Sequence, residues 1–223
     1  YDELRTEALI WVTNIRNELT PIEVEHAMIM MLRLSQISSN PRILDKSYTE
    51  TPPKWLIVDE LVEDICGENN KLIVWTWYRE NTVELVKRYA DLGAVELHGG
   101  SSKAWREEAI RRFQEDKNCL VLVANQKSGG IGLNLDISFN SIFLDNTWGL
   151  VERVQAEDRI HRITQRQPCN IIDIITQGSV DEYILAKMRQ KAMVAGYIQG
   201  DRVEFKNYEI TREELVGALD GNP

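Results

Sequence analysis

The chain has 223 residues, of which 43% are hydrophobic and 27% are charged, as in an ordinary soluble globular protein with one main core. No run approaches the roughly 18 apolar residues of a membrane span, and no signal-peptide pattern opens the chain. The net charge of -9 argues against attraction of a polyanion over the whole surface, so any nucleic-acid contact has to be local.

The first part of the chain predicts helices. Residues 2–17 and 21–38 carry helical periodicity, and Thr20-Pro21-Ile22-Glu23 is a capping box with proline at the first helical position. A third helix is predicted after the break at Thr51-Pro52-Pro53 and runs to about Asn69, because proline suits a first turn and apolar residues then recur at helical spacing. Since the first residue is Tyr1, already inside a helical pattern, we expect a piece of a longer protein.

From residue 71 onward, short apolar runs alternate with helical segments. The predicted strands are 71–76, 94–97, 119–124, 141–145 and 170–175, and the predicted helices are 79–90, 103–115 and 150–163. This alternation indicates an α/β fold in which a parallel sheet is covered by helices on both faces. Ligands of such folds bind at the carboxyl ends of the strands, so the loops that follow the strands are the places for chemistry.

The segment from Gln155 to Gln165 is the most informative part of the sequence. On a continuous helix Gln155, Arg159 and Arg162 project from one face, because they are four and three residues apart. Two guanidinium groups on one face suit the charge of a phosphoryl group in transfer. The alternative is a solvated helix whose arginines form exposed ion pairs with neighbouring carboxylates.

Two further loops could bind phosphate. Lys127 and Ser128 precede a run with three glycines in four positions, 129–132, where successive amides can hold an anion. The segment 98–102, His-Gly-Gly-Ser-Ser, offers amides and hydroxyls at the start of a helix. The alternatives are a tight turn in the first loop and simple capping of the helix by Ser101 or Ser102 in the second.

The sequence contains no G-x-x-x-x-G-K-[ST] phosphate loop and no strand that ends in an Asp-Glu pair. The nearest match to an acidic box, Val58-Asp59-Glu60-Leu61, lies within a helical pattern. Paired arginines without a phosphate loop are typical of one half of a bilobal ATPase. The cysteines, Cys66, Cys119 and Cys169, lack metal-ligand spacing and fit a reducing compartment, so we predict no metal site and an intracellular protein of the cytoplasm or nucleus.

In this order the pieces resemble the C-terminal RecA-like lobe of superfamily 2, Swi/Snf-type DNA-dependent ATPases. Residues 155–165 match the family pattern Q-A-x-D-R-x-H-R-x-G-Q except at Thr164, and residues 129–135 match G-G-x-G-L-N-L. Asp145 and Trp148 match a third motif, Asp followed by Trp-Asn-Pro, in which Gly149 and Leu150 replace the last two residues.

The resemblance implies a RecA-like three-layer fold with an N-terminal helical extension. Residues 1–50 would be a helical linker from the preceding lobe, 51–198 the helicase C-terminal lobe, and 199–223 a tail.

The resemblance also implies which residues form the sites. Catalysis would use Arg159 and Arg162; the ATP and interface set would be Gln155, Gly130, Gly132, Asn134 and Asp158; the DNA-contacting set would be Thr76, Trp77, Gly100, Ser101, Lys127 and Ser128.

The implied activity is ATP-dependent translocation on DNA, in duplex form, with no membrane partner. ATP and Mg²⁺ would be held mainly by an N-terminal RecA-like lobe of the same parent chain, so this chain alone is not expected to hydrolyse ATP. One alternative is a strand-separating superfamily 2 helicase or the motor of a restriction system. Another is a RecA-like interaction module without catalysis.

Overall fold

A computed structural model describes residues 1–14, 21–130, 133–198 and 216–217. The chain forms two compact units, one made of residues 1–49 and 175–223 and the other of residues 50–174. The predicted capping residue Thr20 and nearly all of the predicted tail lie outside the described residues. No helix within the described ranges is long and apolar enough to cross a membrane.

The first unit is helical. Its helices are α1 (Asp2–Asn14), α2 (Pro21–Ser39) and α7 (Val180–Ile198), and α2 contacts both of the others. The Ser38 hydroxyl donates to the Asp181 carboxylate, which also accepts the amide of Thr176 at 3.0 Å. The Val180 amide donates to the Tyr1 hydroxyl at 2.7 Å. These bonds join the start of α7 to α1 and α2.

The second unit contains a five-stranded, wholly parallel sheet in the order β2-β3-β1-β4-β5. The strands are β1 (Leu72–Thr76), β2 (Val95–Leu97), β3 (Val121–Asn125), β4 (Asn140–Phe143) and β5 (Asn170–Asp173). The helices are α3 (Pro53–Gly67), α4 (Arg79–Arg88), α5 (Lys103–Glu115) and α6 (Leu150–Glu157). The predicted α/β fold with a parallel sheet is confirmed.

Each face of the sheet has its own apolar core, because successive side chains of a strand point to opposite faces. Leu72 and Val74 of β1 pack with α3 and α4 on one face. Ile73 and Trp75 pack with α5 and α6 on the other. All five residues of β1 are buried, as expected for the central strand of a sheet that is covered on both sides.

Helix α6 is the element whose predicted bounds differ most from the structure. We predicted a helix from 150 to 163, but α6 ends at Glu157. Beyond it the Arg159 carbonyl accepts the amide of Leu135 at 3.1 Å instead of an amide one turn further along. A tertiary hydrogen bond therefore replaces the helical one and turns the chain.

The carboxyl edge of the sheet is held together by Asp145, which is 1% exposed and follows β4. Its carboxylate accepts the hydroxyl of Thr76 at 2.7 Å, the amide of Trp77, and the side-chain amide of Asn81 at 3.1 Å. Its backbone carbonyl accepts the side-chain amide of Gln126 at 2.6 Å. One residue thus joins the ends of β1, β3 and β4 to the start of α4.

We expect Asp145→Ala to lower the free energy of unfolding by about 3 kcal/mol, because three buried donors lose their acceptor together. Urea denaturation of the 223-residue chain, followed by circular dichroism, measures this change. Asp91→Ala is the matched control, since Asp91 is an exposed carboxylate of the same unit. A loss below about 1 kcal/mol would show that the Asp145 network adds little to stability.

Candidate functional site

The two arginines of the predicted catalytic set lie in the turn that follows α6. The expectation that they share one helix face with Gln155 is therefore wrong, because α6 ends before either arginine. Arg159 is 8% exposed, and its buried Nε has no hydrogen-bond partner among the described residues. Burial lowers the pKa of Arg159, and the neighbouring charge of Arg162 lowers it further. The arrangement is a buried cation beside a second cation.

Arg162 is fixed by backbone carbonyls. Its Nε donates to the carbonyl of Asp158 at 3.0 Å, and an Nη donates to the carbonyl of Leu133 at 2.9 Å. Leu133 directly follows the glycine-rich loop, whose Gly132 lies outside the described residues. These bonds bring the arginine turn and the exit of the glycine loop together.

Other members of the predicted ATP and interface set lie close by in the fold. Helix α6, which carries the half-buried Gln155, packs on the 3₁₀ turn Gln126–Gly130. Asn134 is exposed, and its carbonyl accepts the side-chain amide of Gln114 at 2.7 Å. Asp158 is also exposed and gives its carbonyl to Arg162. The described members of the set thus lie on elements next to the arginine turn.

A third arginine, Arg153, was not singled out from the sequence. It is 7% exposed, and its guanidinium forms ion pairs with Glu157 at 2.5 Å and with Asp173. It also donates to Asn146 at 2.9 Å and lies 3.6 Å from the ring centroid of Phe143. The pairing with β5 is a tertiary contact that no local spacing reveals. Arg153 is a fully paired structural cation, unlike Arg159.

A second cluster lies at the same carboxyl edge, after β1 and β3. The exposed Lys127 places its Nζ 4.5 Å from the ring centroid of the partly exposed Trp77. The side-chain amide of Asn125 donates to the Trp77 carbonyl at 2.6 Å, and its oxygen accepts the amide of Lys127 at 3.0 Å. These bonds fix both backbones and leave an aromatic ring and an ammonium group at the surface.

The hydroxyls of Thr76 and Ser128 make hydrogen bonds within the fold, and the expectation that these residues contact DNA stays a prediction. Thr76 is fully buried and donates to Asp145. Ser128 is 4% exposed, and its hydroxyl lies 2.6 Å from the Asn125 carbonyl and 3.0 Å from that of Leu97. These hydroxyls hold the two loops in place. The residues beside them, Trp77 and Lys127, are the ones that reach solvent.

The loop after β2 brings in one cation that the sequence prediction missed. The Gly100 amide donates to Nδ1 of His98 at 3.1 Å. The guanidinium carbon of the exposed Arg79 lies 4.0 Å from the place where a Cβ on Gly100 would stand. Ser102 caps α5 by accepting the amide of Trp105 at 3.2 Å, whereas the buried hydroxyl of Ser101 has no partner in the described part of the chain.

Two departures from the family motif have local explanations. Thr164, at the place where the family has glycine, donates its hydroxyl to the carboxylate of Asp136. Gly149 is the N-cap of α6, and a Cβ there would collide with the folded side chain of Glu152. Thr164 thus pairs with Asp136, and Gly149 lies against the side chain of Glu152.

No group of three or more His, Cys, Asp or Glu side chains within the described ranges could hold a metal ion. Burial raises the pKa of each of the three thiols, and that of Cys66 reaches about 11. At neutral pH these cysteines are thiols, which are poor metal ligands and poor nucleophiles.

Comparison with known proteins gives one family. Residues 54–164 match the helicase conserved C-terminal domain. The chain is 30% identical over 156 residues to the DNA repair and recombination protein RDH54 of Saccharomyces cerevisiae strain YJM789, which covers 69% of this chain and 17% of that protein. It is 24% identical over 206 residues to the transcription regulatory protein SNF2 of S. cerevisiae, covering 85% of this chain and 12% of SNF2. The chain thus spans about one sixth of these relatives' length or less.

The fold is similar to that of the Sulfolobus solfataricus SWI2/SNF2 ATPase core in complex with dsDNA. The TM-score is 0.68 at 22% sequence identity, and the match covers 88% of this chain and 43% of that one. At this identity the likeness concerns the fold, and it confirms the RecA-like architecture that the resemblance implied.

We expect Arg159→Met to raise the free energy of unfolding by about 1 kcal/mol, because it removes a buried cation that no described acceptor offsets. Arg153→Met is the matched control and should lower it by about 3 kcal/mol, since Asp173 is left without its cation. Urea denaturation of the chain measures both changes. A clear loss of stability in Arg159→Met would mean that the guanidinium is satisfied within the fold.

Proposed function

Because the chain belongs, through residues 54–164, to the helicase conserved C-terminal domain family of Swi/Snf-type ATPases, we propose that it acts as the second motor lobe of an ATP-dependent DNA translocase. The observation that carries this proposal is the buried Nε of Arg159, which has no hydrogen-bond partner among the described residues and belongs to a guanidinium near the charges of Arg162 and Asp158. A fold keeps such a cation at a cost in stability, and a transferred phosphoryl group is the kind of anion that offsets the cost.

In this proposal the two arginines stabilise the negative charge that develops on the γ-phosphate of ATP. Arg162 is oriented in advance by the carbonyls of Asp158 and Leu133, whereas the buried Nε of Arg159 has no hydrogen-bond partner within the described ranges. An arginine supplied in this way raises the rate ~10³-fold or more. We assign the rest of the nucleotide, with its Mg²⁺, to a preceding lobe, since this sequence has no phosphate loop.

DNA would lie along the loops after β1, β2 and β3. Lys127 and Arg79 supply exposed cations, and the Arg79 guanidinium lies beside Gly100 in the loop after β2. Phosphate contacts position a strand without reading its sequence, which suits a translocase. The duplex form is proposed because the similar Sulfolobus core was solved with dsDNA. An action inside the cell belongs to the same proposal and is supported by the names of relatives in DNA repair and transcription regulation.

The two proposed contact regions are joined within one unit. Asp145 fixes the loop that carries Trp77, and the chain then runs through α6 to the arginine turn. Helix α6 also packs on the turn Gln126–Gly130, which carries Lys127. Closing and opening of two lobes around ATP would therefore move the protein loops proposed to contact DNA as a rigid group. Translocation needs such a movement.

We expect the full-length protein to show DNA-stimulated ATPase activity and the isolated chain to show none. Arg159→Ala and Arg162→Ala in the full-length protein should each lower turnover by at least ~100-fold with little change in ATP affinity, because they act in the transition state. Steady-state ATPase assays and nucleotide titration measure these effects. Arg111→Ala is the control, since Arg111 is exposed and pairs with Glu108 and Glu115 on α5.

Turnover by the isolated chain would overturn the assignment of the nucleotide to another lobe. Full turnover in both arginine variants would overturn the catalytic role. Strand-displacement assays on the same preparation separate translocation from unwinding, because a translocase hydrolyses ATP on duplex DNA without releasing a strand.

We expect Lys127→Gln and Arg79→Gln each to weaken DNA binding for all sequences alike. Each substitution should reduce the slope of log affinity against log salt concentration by about 0.9, because one phosphate contact releases about that many counterions. Fluorescence anisotropy over a salt series measures the slope. Lys117→Gln is the matched control, since Lys117 is exposed just before β3, at the opposite edge of the sheet. Unchanged slopes in both variants would place DNA elsewhere.

A further inference from the structure

Phosphate binding alone does not account for Trp77 at the carboxyl edge of the sheet. The buried tryptophans Trp55 and Trp75 belong to the two apolar cores. Trp77 belongs to neither core and is partly exposed, directly after the central strand β1. Its backbone is held on both sides, because its amide donates to Asp145 and its carbonyl accepts from Asn125. The structure thus presents an indole on a rigid platform.

Lys127 lies over this ring at 4.5 Å and is itself exposed. A cation-π contact at an exposed site is weak compared with a contact between an ammonium group and a phosphate. Release of Lys127 from the ring to a phosphate would uncover one aromatic face of the indole. Arg79 adds a second exposed cation at the same edge, beside Gly100.

We propose that Trp77 is a specificity residue that stacks on an unpaired base, so that the protein prefers DNA with unpaired nucleotides over an intact duplex. The proposal rests on the proposed DNA-translocating function and adds a substrate preference to it. In an intact duplex the faces of the bases are covered by their neighbours, so an indole beside the backbone gains little. An unpaired base offers its π-face to any aromatic ring, whatever its sequence.

The first test compares two probes on the full-length protein, a short duplex and the same duplex with a central bulge of unpaired thymidines. The wild type should bind the bulged duplex more tightly. Trp77→Leu should lose about 10-fold in affinity for the bulged duplex and less than about 2-fold for the intact one, as expected when one stacked base is lost. Trp77→Phe should keep most of the preference, because it keeps an aromatic face.

Trp105→Leu is the matched control, because Trp105 is 56% exposed on α5 and lies in a groove lined by α4, β2 and α5. It should bind both probes as the wild type does. Lys127→Gln should weaken both probes by the same factor, because the phosphate contact is common to them. The Trp105→Leu variant separates loss of stacking at Trp77 from the loss of any exposed tryptophan. The Lys127→Gln variant separates it from the loss of a positive charge.

A second measurement needs no substitution. A bulge that contains 5-bromouridine, irradiated in complex with the wild-type protein, should form a crosslink that peptide mass spectrometry maps to Trp77. A crosslink elsewhere, equal wild-type affinity for both probes, or equal losses on both probes in Trp77→Leu would each overturn the stacking proposal. Absence of salt-dependent binding to either probe would instead overturn the proposed function on which it rests.

Discussion

The buried carboxylate of Asp145 is the constraint on which the arrangement of the carboxyl edge depends. An ionised carboxylate inside a protein is costly unless donors surround it. Here Thr76, Trp77 and Asn81 supply those donors, so the end of β1 and the start of α4 have to meet the end of β4. Gln126 extends the same network to the end of β3 through the Asp145 carbonyl. The loops proposed to touch DNA are therefore fixed by one internal charge.

The arginines around α6 divide between stability and chemistry in a way that their burial alone does not show. Arg153 and Arg159 are almost equally buried, at 7% and 8% exposure. Arg153 has carboxylate partners on α6 and β5, so it joins the two elements. Arg159 has no described partner at Nε and has Arg162 as its neighbour. A paired cation stabilises its surroundings, whereas an unpaired one lowers stability until an anion binds.

The sequence predicts the sheet well and the side-chain directions poorly, for physical reasons. A buried parallel strand is a continuous apolar run, so residues 119–124 predict a strand from composition alone, and β3 occupies Val121–Asn125. The end of α6 is set by the bond from the Leu135 amide to the Arg159 carbonyl, which no local pattern reveals. The same holds for Thr76, whose hydroxyl is taken up by a carboxylate 69 residues away. Arg79 was missed because its neighbour Gly100 is distant in the sequence.

An acidic chain can still bind a polyanion if exposed cations lie together at one edge and the carboxylate at that edge is buried among hydrogen-bond donors. The net charge of -9 coexists here with a carboxyl edge at which Asp145 is buried and neutralised by donors. Lys127 and Arg79 remain exposed at that edge. Screening limits repulsion from distant carboxylates to about 8 Å at physiological ionic strength, so local charge decides the contact. The overall acidity lowers adhesion to nucleic acid away from this edge, which would suit the proposed motor, since such a motor has to release DNA and bind it again.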